Sequence, residues 1–486
     1  MNFKMIGRLN SYLLLGEAIF MLPAMFICLF EKNYFCTLSF AYTILIILAV
    51  AGLLRLLCRN AKKGFFAKDG LACVGIAWIV ISFFGCLPFW ISHQIPHFID
   101  AFFEMVSGFT TTGASILNDV EHLSKGILYW RSFSHWLGGM GVLVFLLAIA
   151  PLGGRNSGFT LHLLRAESPG PDVSKLVPKI SQTARILYLI YLGFTVLNFI
   201  FLLIGKMPVF DALCTALGTA GTGGFGIRND SIAGYSPYIQ NVCTVFMLIF
   251  GVNFSLYYII LLRQIKSVFK DEELRLYIIT VITSIALISL NVYKMYPSIG
   301  ETVRHSAFQV ASIISTTGFA TTDFDMWPTF SKAIIVVLMS LGACAGSTGG
   351  GFKLGRLLIL AKALKRNVKQ IMRPQKIESV HLGKHSIDER IIQNTTVYLV
   401  AYVFILVVSF LIVSTNGFTT TTNFTAVLSC LNNIGPGLEM VGPTHNYSGY
   451  NVISKIVLIF DMLAGRLEIF PILVLFSAFS RKVKWS

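Results

Sequence analysis

The sequence predicts an all-α polytopic membrane protein. Two N-terminal transmembrane helices precede four pseudo-symmetric membrane–pore helix–membrane repeats around one central pore. Three observations support this prediction: the composition, the placement of the basic residues, and a short glycine-centred segment that recurs four times. Of the 486 residues, 55% are hydrophobic and only 13% are charged, and the mean hydropathy is +0.71. A soluble protein would carry about 25% charged residues, so the chain is predicted to lie in a lipid bilayer.

The net charge of +16 would by itself favour a nucleic-acid-binding protein, but the basic residues follow a different pattern. Most of them lie near Lys4 and Arg8, in the alternate loops 55–68, 155–185, 263–275 and 353–390, and in the tail 481–484. Because Lys and Arg accumulate in cytoplasmic loops, these loops and both termini are predicted to face the cytoplasm. The predicted partner is therefore the bilayer and not nucleic acid, and the glycine segments lie toward the outside.

Ten apolar stretches could cross a bilayer, which needs roughly 20 residues per helix. They are predicted at about 11–30, 37–57, 71–91, 127–150, 184–204, 238–262, 275–293, 329–360, 394–414 and 451–478. The predicted organisation is a two-helix region over 1–68 and four repeats over 69–155, 156–265, 266–375 and 376–486. The nine cysteines contain no CxxC motif and lie mostly in apolar stretches, which predicts small apolar residues in a reduced or lipid-embedded setting.

The recurring segments each follow a stretch too short to span a bilayer. They are Thr111-Thr112-Gly113-Ala114, Gly221-Thr222-Gly223-Gly224, Thr316-Thr317-Gly318-Phe319 and Asn433-Ile434-Gly435-Pro436. The short stretches are predicted to form helices that begin near Pro96, Pro208, Glu301 and Thr421. Lipid cannot satisfy the carbonyls of a non-helical segment, so such a segment must line water or be buried in protein. Four of them around one axis could dehydrate and pass a cation, whereas the alternative is four re-entrant packing elements that bind no ion.

The predicted span 329–360 contains the run Gly342–Gly351, with glycines at 346, 349, 350 and 351. Each glycine costs a helix about 1 kcal/mol relative to Ala, so the helix is predicted to break here into a loop beneath the glycine segments. The alternative is a site of close helix packing. The run Leu354–Met372 that follows is basic and amphipathic. It is predicted to be a membrane-surface helix or a docking surface for a cytosolic partner.

The last predicted span contains Asp461, Arg466 and Glu468, which are costly at that depth. Arg466 could pair with one of the two carboxylates, but the separations of five and two residues suit neither pairing on a helix. Arg466 could instead donate to free carbonyls of the broken 342–351 loop, since Arg offers five donors and a permanent charge. The second arrangement is favoured, because it satisfies two costly elements at once.

Motifs that would indicate an enzyme are absent or out of context in the sequence. Gly221–Gly226 matches the dinucleotide fingerprint G-x-G-x-x-G, but no βαβ pattern surrounds it. No HExxH motif occurs, and the nine histidines lack metal-ligand spacing. The chain is therefore predicted not to be an enzyme and to have no catalytic residue and no organic cofactor.

The chain resembles the Trk/Ktr/HKT superfamily of cation transporters along nearly its whole length. The resemblance is carried by the motifs at 108–114, 221–225, 315–319, 344–351, 432–437 and 465–468. It implies potassium uptake across a bacterial inner membrane, a homodimer, and a cytosolic nucleotide-binding regulatory subunit of the RCK type that is similar to TrkA. It also implies that the 342–351 loop and Arg466 obstruct the pore.

The resemblance further implies which residues coordinate K⁺, the transported ion. The residues that would offer backbone carbonyls to K⁺ are Thr111, Thr112, Gly221, Thr222, Thr316, Thr317, Asn433 and Ile434. The glycines that would permit the unusual backbone conformation are Gly113, Gly223, Gly318 and Gly435. Two other functions stay open at this stage. One is a Na⁺-permeable or ion-coupled (H⁺ or Na⁺) symporter, and the other is a polytopic membrane enzyme, which lacks the clustered polar residues it would need.

Overall fold

Helices form nearly all the regular structure of the chain. The computed structural model describes residues 1–60, 66–141, 180–375, 378–383 and 385–479. In chain order the α-helices are α1 (Phe3–Phe30), α2 (Tyr34–Leu57), α3 (Ala67–Gly85), α4 (Leu87–Ile91), α5 (Phe98–Phe109), α6 (Lys125–Gly139), α7 (Ile180–Ile204), α8 (Val209–Gly221), α9 (Pro237–Phe250), α10 (Phe254–Leu261), α11 (Ile265–Val268), α12 (Glu272–Val292), α13 (Ile299–Ile314), α14 (Thr329–Leu341), α15 (Leu354–Met372), α16 (Glu389–Val413), α17 (Thr420–Asn432), α18 (Val452–Arg466) and α19 (Phe470–Phe479).

Short elements complete the described structure. Single 3₁₀ turns occur at Phe324–Met326, Ser414–Asn416 and Glu439–Val441. Strands β1 (His381–Leu382) and β2 (His385–Ser386) pair antiparallel between α15 and α16. An all-α membrane protein was predicted, and the described residues confirm that class.

The long helices present apolar side chains outward, as expected for contact with lipid. Leu56 on α2 is 72% exposed and Phe404 on α16 is 68% exposed. Within the described residues, six helical spans are long and apolar enough to cross a membrane, or seven if α9 and α10 count as one bent span. The six are α1, α2, α3 continued by α4, α7, α12 and α16. Within the described residues, several of the ten predicted spans are therefore interrupted and not continuous helices.

The interruptions fall in the helix that follows each glycine segment. The predicted span 238–262 is instead α9 and α10, which meet at an angle of 90°. A Cβ on Gly251 would lie 2.5 Å from the Tyr277 hydroxyl, and the Asn253 side chain caps α10 by accepting from the Ser255 N–H. The predicted span 451–478 is likewise split into α18 and α19 by Glu468 and Ile469, whose φ angles are 57° and 65°.

Two further interruptions bear on the sequence predictions. The predicted break within 329–360 is confirmed, because α14 ends at Leu341 and α15 begins at Leu354. Helix α6 ends at Gly139, and the predicted span 127–150 continues beyond residue 141 into a part of the chain outside the described residues. Because α6 and α14 end at these positions, non-helical backbone lies beneath the glycine segments.

The four short helices α5, α8, α13 and α17 start within two residues of the predicted positions. Two of their N-termini have a side-chain cap, whereas α5 and α8 lack one and carry an aspartate in the first turn. Asp211 lies in the first turn of α8, Ser298 caps α13 by accepting from the Glu301 N–H, and Thr419 caps α17 by accepting from the Thr422 N–H. The interior of these helices is buried, so each is surrounded by protein and directs its C-terminus inward.

Helix α15 is amphipathic, as predicted. Its residues Leu354, Ile359 and Ala363 are buried, whereas Ile371 and Met372 at its end are 80% and 77% exposed. Whether it contacts the membrane surface or a partner protein stays a prediction.

Candidate functional site

The four glycine segments have one backbone conformation in common. After each short helix, the first residue of the segment is left-handed although it is not glycine. These residues are Thr111, Thr222, Thr316 and Asn433, with φ of 55°, 53°, 59° and 54°. For a non-glycine residue this conformation costs roughly 1–2 kcal/mol. Strain of this kind persists where the surroundings enforce it, often at a functional site.

The hydrogen bonds of the segments are equivalent as well. The N–H of Thr111 donates to Gly108 O (3.1 Å), and the N–H of Thr112 donates to Ser107 O (2.9 Å). The same pair of bonds ends α8 (3.1 and 3.0 Å), α13 (3.1 and 2.8 Å) and α17 (3.3 and 3.0 Å). This is the Schellman motif, which usually places glycine at the left-handed position. Each short helix therefore ends with the same geometry.

Each segment also has a glycine with positive φ two residues after its left-handed residue, and in the second segment this glycine lies one residue later than the sequence predicts. The glycines with positive φ are Gly113 (79°), Gly224 (74°), Gly318 (89°) and Gly435 (99°). Gly223, which was predicted for this role, instead corresponds to Thr112, and Gly221 is the last residue of α8. The sequence misled because Gly221-Thr-Gly-Gly offers three glycines, and only the left-handed Thr222 fixes which of them corresponds to Gly113.

The segments adjoin one another in a closed ring. A Cβ built on Gly113 would lie 2.1 Å from Gly223 O, and one built on Gly224 would lie 1.9 Å from Thr317 O. A Cβ built on Gly318 would lie 2.3 Å from Ile434 O, and one built on Gly435 would lie 2.8 Å from Thr112 O, which closes the ring. Each glycine thus makes room for a carbonyl of the next segment. We call the residues 111–113, 222–224, 316–318 and 433–435 the carbonyl ring.

The carbonyl ring opens onto a single cavity of about 200 Å³, which all four positive-φ glycines line. The loops that contain Val120 and Asn229 lie at its edge, where the Asn229 amide donates to Asp119 (2.9 Å). This hydrogen bond is the main reason that the pKa of Asp119 lies below its ordinary value. Among the described residues, no group of three or more His, Cys, Asp or Glu could hold a metal ion. The candidate cation ligands that the four segments themselves offer are their backbone oxygens.

His135 supports the ring from behind, and the sequence reasoning missed it. Its Nδ1 lies 2.7 Å from Gly108 O, and its Nε2 lies 3.3 Å from the Phe225 N–H, which donates to it. A Cβ on Gly223 would lie 2.1 Å from its ring. His135 therefore connects the first segment to the second and requires glycine at 223.

A buried ion pair fixes the loop after the first segment. Arg131 on α6 and Glu104 on α5 are 2% and 0% exposed, and their charged atoms are 2.7 Å apart. Glu104 also accepts from the Ile116 N–H (2.9 Å), and Arg131 donates to Gly226 O (3.2 Å). A buried pair of this kind needs such additional partners. The sequence reasoning did not identify this pair, although a charged residue within an apolar helix is a signal that could have found it.

The segment between α14 and α15 lies directly against the ring. We call residues 342–353 the barrier loop. The Gly350 N–H donates to the Thr316 hydroxyl (2.6 Å), and a Cβ on Gly349 would lie 2.8 Å from Ser315 O. A Cβ on Gly350 would lie 2.6 Å from Asn432 O. The glycines at 349 and 350 therefore allow the loop to touch two segments of the ring.

The other side of the barrier loop is bound to the break between α9 and α10. The Cys344 N–H donates to Gly251 O (3.1 Å), and the Gly346 carbonyl accepts from Phe254 (3.0 Å). Glu273 on α12 accepts from the Ala345 N–H (2.7 Å). The two broken helices thus satisfy each other's free backbone groups, as the absence of water at membrane depth requires.

Arg466 at the end of α18 makes the predicted contact with the barrier loop. Its guanidinium donates to Thr348 O (2.8 Å), and also to Gly139 O (2.7 Å) and Gly138 O at the end of α6. The alternative pairing with Asp461 or Glu468 is not formed. Asp461 accepts from Ser409 (2.7 Å), and Glu468 pairs with Arg356.

Lys353 places a second basic side chain beneath the ring. The side chain is 2% exposed, and its ammonium donates to Gly349 O within the barrier loop. The residue itself has φ of 74°. Lys353 is therefore buried against the loop to which it belongs.

These features define a polytopic membrane protein with a ring of backbone acceptors suited to a cation and a positively charged loop directly beneath it. Residues 37–484 match the family described as TrkH, cation transport protein. The chain therefore belongs to the TrkH family, which confirms the resemblance found in the sequence. The family consists of transporters, so the prediction that the chain is not an enzyme is also confirmed.

Individual relatives are similar over almost the full length. The Trk system potassium uptake protein TrkH of Salmonella typhimurium is 35% identical over 485 residues, covering 98% of this chain and 99% of that protein. The Trk system potassium uptake protein TrkG of Escherichia coli is 33% identical and covers 98% of each chain. The crystal structure of the potassium transporter TrkH from Vibrio parahaemolyticus superposes with a TM-score of 0.86 at 32% identity, covering 98% of both chains.

Proposed function

We propose that the chain takes up potassium across the bacterial inner membrane through a channel-like pore whose selectivity filter is the carbonyl ring. The main observation behind this proposal is that four equivalent segments touch one another in a closed ring. In each contact a glycine of one segment lies against a carbonyl of the next, and the pairs are Gly113 with Gly223, Gly224 with Thr317, Gly318 with Ile434, and Gly435 with Thr112. Rings of backbone carbonyls replace the hydration shell of K⁺ in known filters. The relatives named for potassium uptake support the choice of ion.

The carbonyls at the middle of the segments are the proposed principal ligands, namely those of Thr112, Gly223, Thr317 and Ile434. Each abuts the glycine of a neighbouring segment, so all four occupy equivalent places. The carbonyls of Thr111, Thr222, Thr316 and Asn433 are proposed as a second row. Gly221 is no longer among the proposed carbonyl ligands, because it corresponds to Thr110 once the segments are aligned on their left-handed residues.

The barrier loop and Arg466 are the proposed gate. A guanidinium at Thr348 O holds the loop against the ring, and its charge repels a cation that has passed the filter. The glycines 346 and 351, with φ of 68° and 80°, and the glycines 349 and 350 give the loop its conformation. Removing residues 345–347 is expected to increase ion flux and to weaken control by a partner, and lower flux in a well-folded deletion variant would indicate a purely structural loop.

The assembly and orientation are proposed from the charge pattern and the family resemblance. Both termini and the basic loops face the cytoplasm. The four repeats occupy 69–155, 156–265, 266–375 and 376–486. The protein forms a homodimer, and a cytosolic nucleotide-binding subunit of the RCK type, similar to TrkA, acts on the gate.

A Na⁺-permeable or ion-coupled symporter is the second candidate, and one experiment separates the two. The purified chain is reconstituted into liposomes, and K⁺ and Na⁺ fluxes are measured at clamped membrane potential with and without a proton gradient. Channel-like uptake predicts K⁺ flux down its own gradient that exceeds Na⁺ flux and needs no second ion. A K⁺ flux that requires a gradient of H⁺ or Na⁺, or equal K⁺ and Na⁺ fluxes, would favour the symporter or the Na⁺-permeable pathway.

A further inference from the structure

Two cysteines face each other across the first turn between helices. Cys28 lies near the end of α1 and Cys36 near the start of α2, and their sulfurs are 2.9 Å apart. Both side chains are fully buried. The nine cysteines are predicted from the sequence to be small apolar residues in a reduced or lipid-embedded setting. This pair differs, because the distance between the two sulfurs exceeds the roughly 2.05 Å of a disulfide bond by less than 1 Å.

The turn is built so that the two sulfurs stay together. The Asn33 N–H donates to Cys28 O (3.0 Å), and the Asn33 side chain accepts from the Cys36 N–H (3.2 Å). The Ser124 hydroxyl lies 3.2 Å from the Cys36 sulfur. A Cβ on Gly126 would lie 2.2 Å from the Cys28 sulfur, so α6 closes over the pair with its glycine.

The turn lies on the outer side of the molecule in the proposed orientation. Glu31 in this turn accepts from the Lys125 N–H (3.0 Å) at the start of α6. Glu31 also lines one cavity with Arg228 and Asn229, which lie at the mouth above the carbonyl ring. Disulfides form and persist in the oxidising compartment outside the cytoplasmic membrane and are rare inside the cell.

We propose that Cys28 and Cys36 form a structural disulfide that closes the α1–α2 turn. One thiolate attacks the disulfide of a protein thiol oxidant of the outer compartment, giving a mixed disulfide. The other thiolate then displaces the oxidant's sulfur, and the new S–S bond forms. Two protons and two electrons end on the oxidant, which leaves as a dithiol. Because α6 covers both sulfurs in the folded chain, the reaction takes place before Gly126 packs on the turn.

The position of Lys32 makes the bond directly measurable in the full-length chain. Trypsin cuts after Arg8, Lys32 and Arg55, which separates Cys28 in peptide 9–32 from Cys36 in peptide 33–55. Membranes are denatured in SDS with an excess of light N-ethylmaleimide, then reduced and labelled with the heavy reagent. We expect the two peptides to be joined before reduction, and both cysteines to carry the heavy label, while Cys86 and Cys243 carry the light one.

Two controls keep the result independent of transport activity. Cys28→Ser is expected to leave Cys36 with the light label only, and growth of the cells in dithiothreitol is expected to give the light label at both positions. Light label on both cysteines in untreated cells would overturn the proposal. Potassium flux is measured separately on the same membranes, so a failure of the proposed transport function leaves this outcome unaffected.

Discussion

The carbonyl ring and the barrier loop lie in contact, but they are built in opposite ways. The ring repeats one backbone motif four times, and its neighbours touch through glycines and carbonyls. The barrier loop occurs once. Backbone hydrogen bonds join it to the break between α9 and α10, and the side chains of Thr316, Glu273 and Arg466 add further bonds. The geometry of the ring therefore depends mainly on the backbone, whereas the position of the loop also depends on a few replaceable side chains. Substitutions in the ring should lower ion selectivity, whereas substitutions in the barrier loop should raise ion flux.

The largest effect is expected from Gly113→Ser in the ring. A side chain here must adopt φ near 79° and would place its Cβ 2.1 Å from Gly223 O. Strain of about 1–2 kcal/mol corresponds to roughly a tenfold change in an equilibrium. We therefore expect the ratio of Rb⁺ to Na⁺ uptake to fall by roughly tenfold.

Gly300→Ser is the matched control, because no atom lies within 4 Å of a Cβ at this position on α13. It should leave the uptake ratio unchanged. An unchanged ratio in Gly113→Ser at normal protein level would contradict the assignment of the ring as the filter.

Arg466→Ala tests whether weakening the attachment of the barrier loop raises ion flux. It removes the hydrogen bonds to Thr348 O, Gly138 O and Gly139 O and a positive charge beneath the ring. Hydrogen bonds from charged groups contribute about 1.5–3 kcal/mol each, so we expect K⁺ flux in liposomes to rise by roughly tenfold. Arg466→Lys retains the charge without the planar guanidinium and should give a smaller rise.

If Arg466→Ala instead folds poorly and its flux per folded protein does not rise, Arg466 is a structural connector of α6 and α18. Size-exclusion profiles of both variants, measured beside the flux, distinguish this outcome from gating.

The smallest effect is expected where the two regions meet. Thr316→Val removes the acceptor for the Gly350 N–H and leaves the ring backbone as it is. A single hydrogen bond contributes about 1 kcal/mol, so K⁺ flux should rise about two- to fivefold with an unchanged K⁺ to Na⁺ ratio. Thr111→Val is the control, because Thr111 occupies the same left-handed position and its hydroxyl has no hydrogen-bond partner among the described residues. Equal effects of the two substitutions would argue against the Thr316 bond as a connection to the gate.

The elements that follow from local sequence chemistry were predictable. The short helices, the glycine segments after them and the break before Leu354 all follow from helix length, capping residues and glycine content. The Arg466 contact followed from the expected cost of an uncompensated charge. The class of protein was therefore predictable from the sequence.

The parts that depend on tertiary contacts were not predictable. The alignment of the second segment needed the φ angle of Thr222, because three nearby glycines fit the same pattern equally well. The 90° bend at Gly251 depends on the Tyr277 hydroxyl and on the barrier loop, which lie 26 or more positions further along the chain. His135 gave no local signal, since its partners Gly108 and Phe225 come from two different segments.

Because one chain supplies the whole ring, its four quarters are chemically distinct. The equivalent central positions are Thr112, Gly223, Thr317 and Ile434. In a pore made from four identical subunits, a single codon change would alter every quarter at once. Here a single codon change alters one quarter and leaves three intact. With the carbonyl ring as the filter, as we propose, ion preference can therefore be adjusted one quarter at a time, by evolution or by the experimenter, without passing through a fully rebuilt filter.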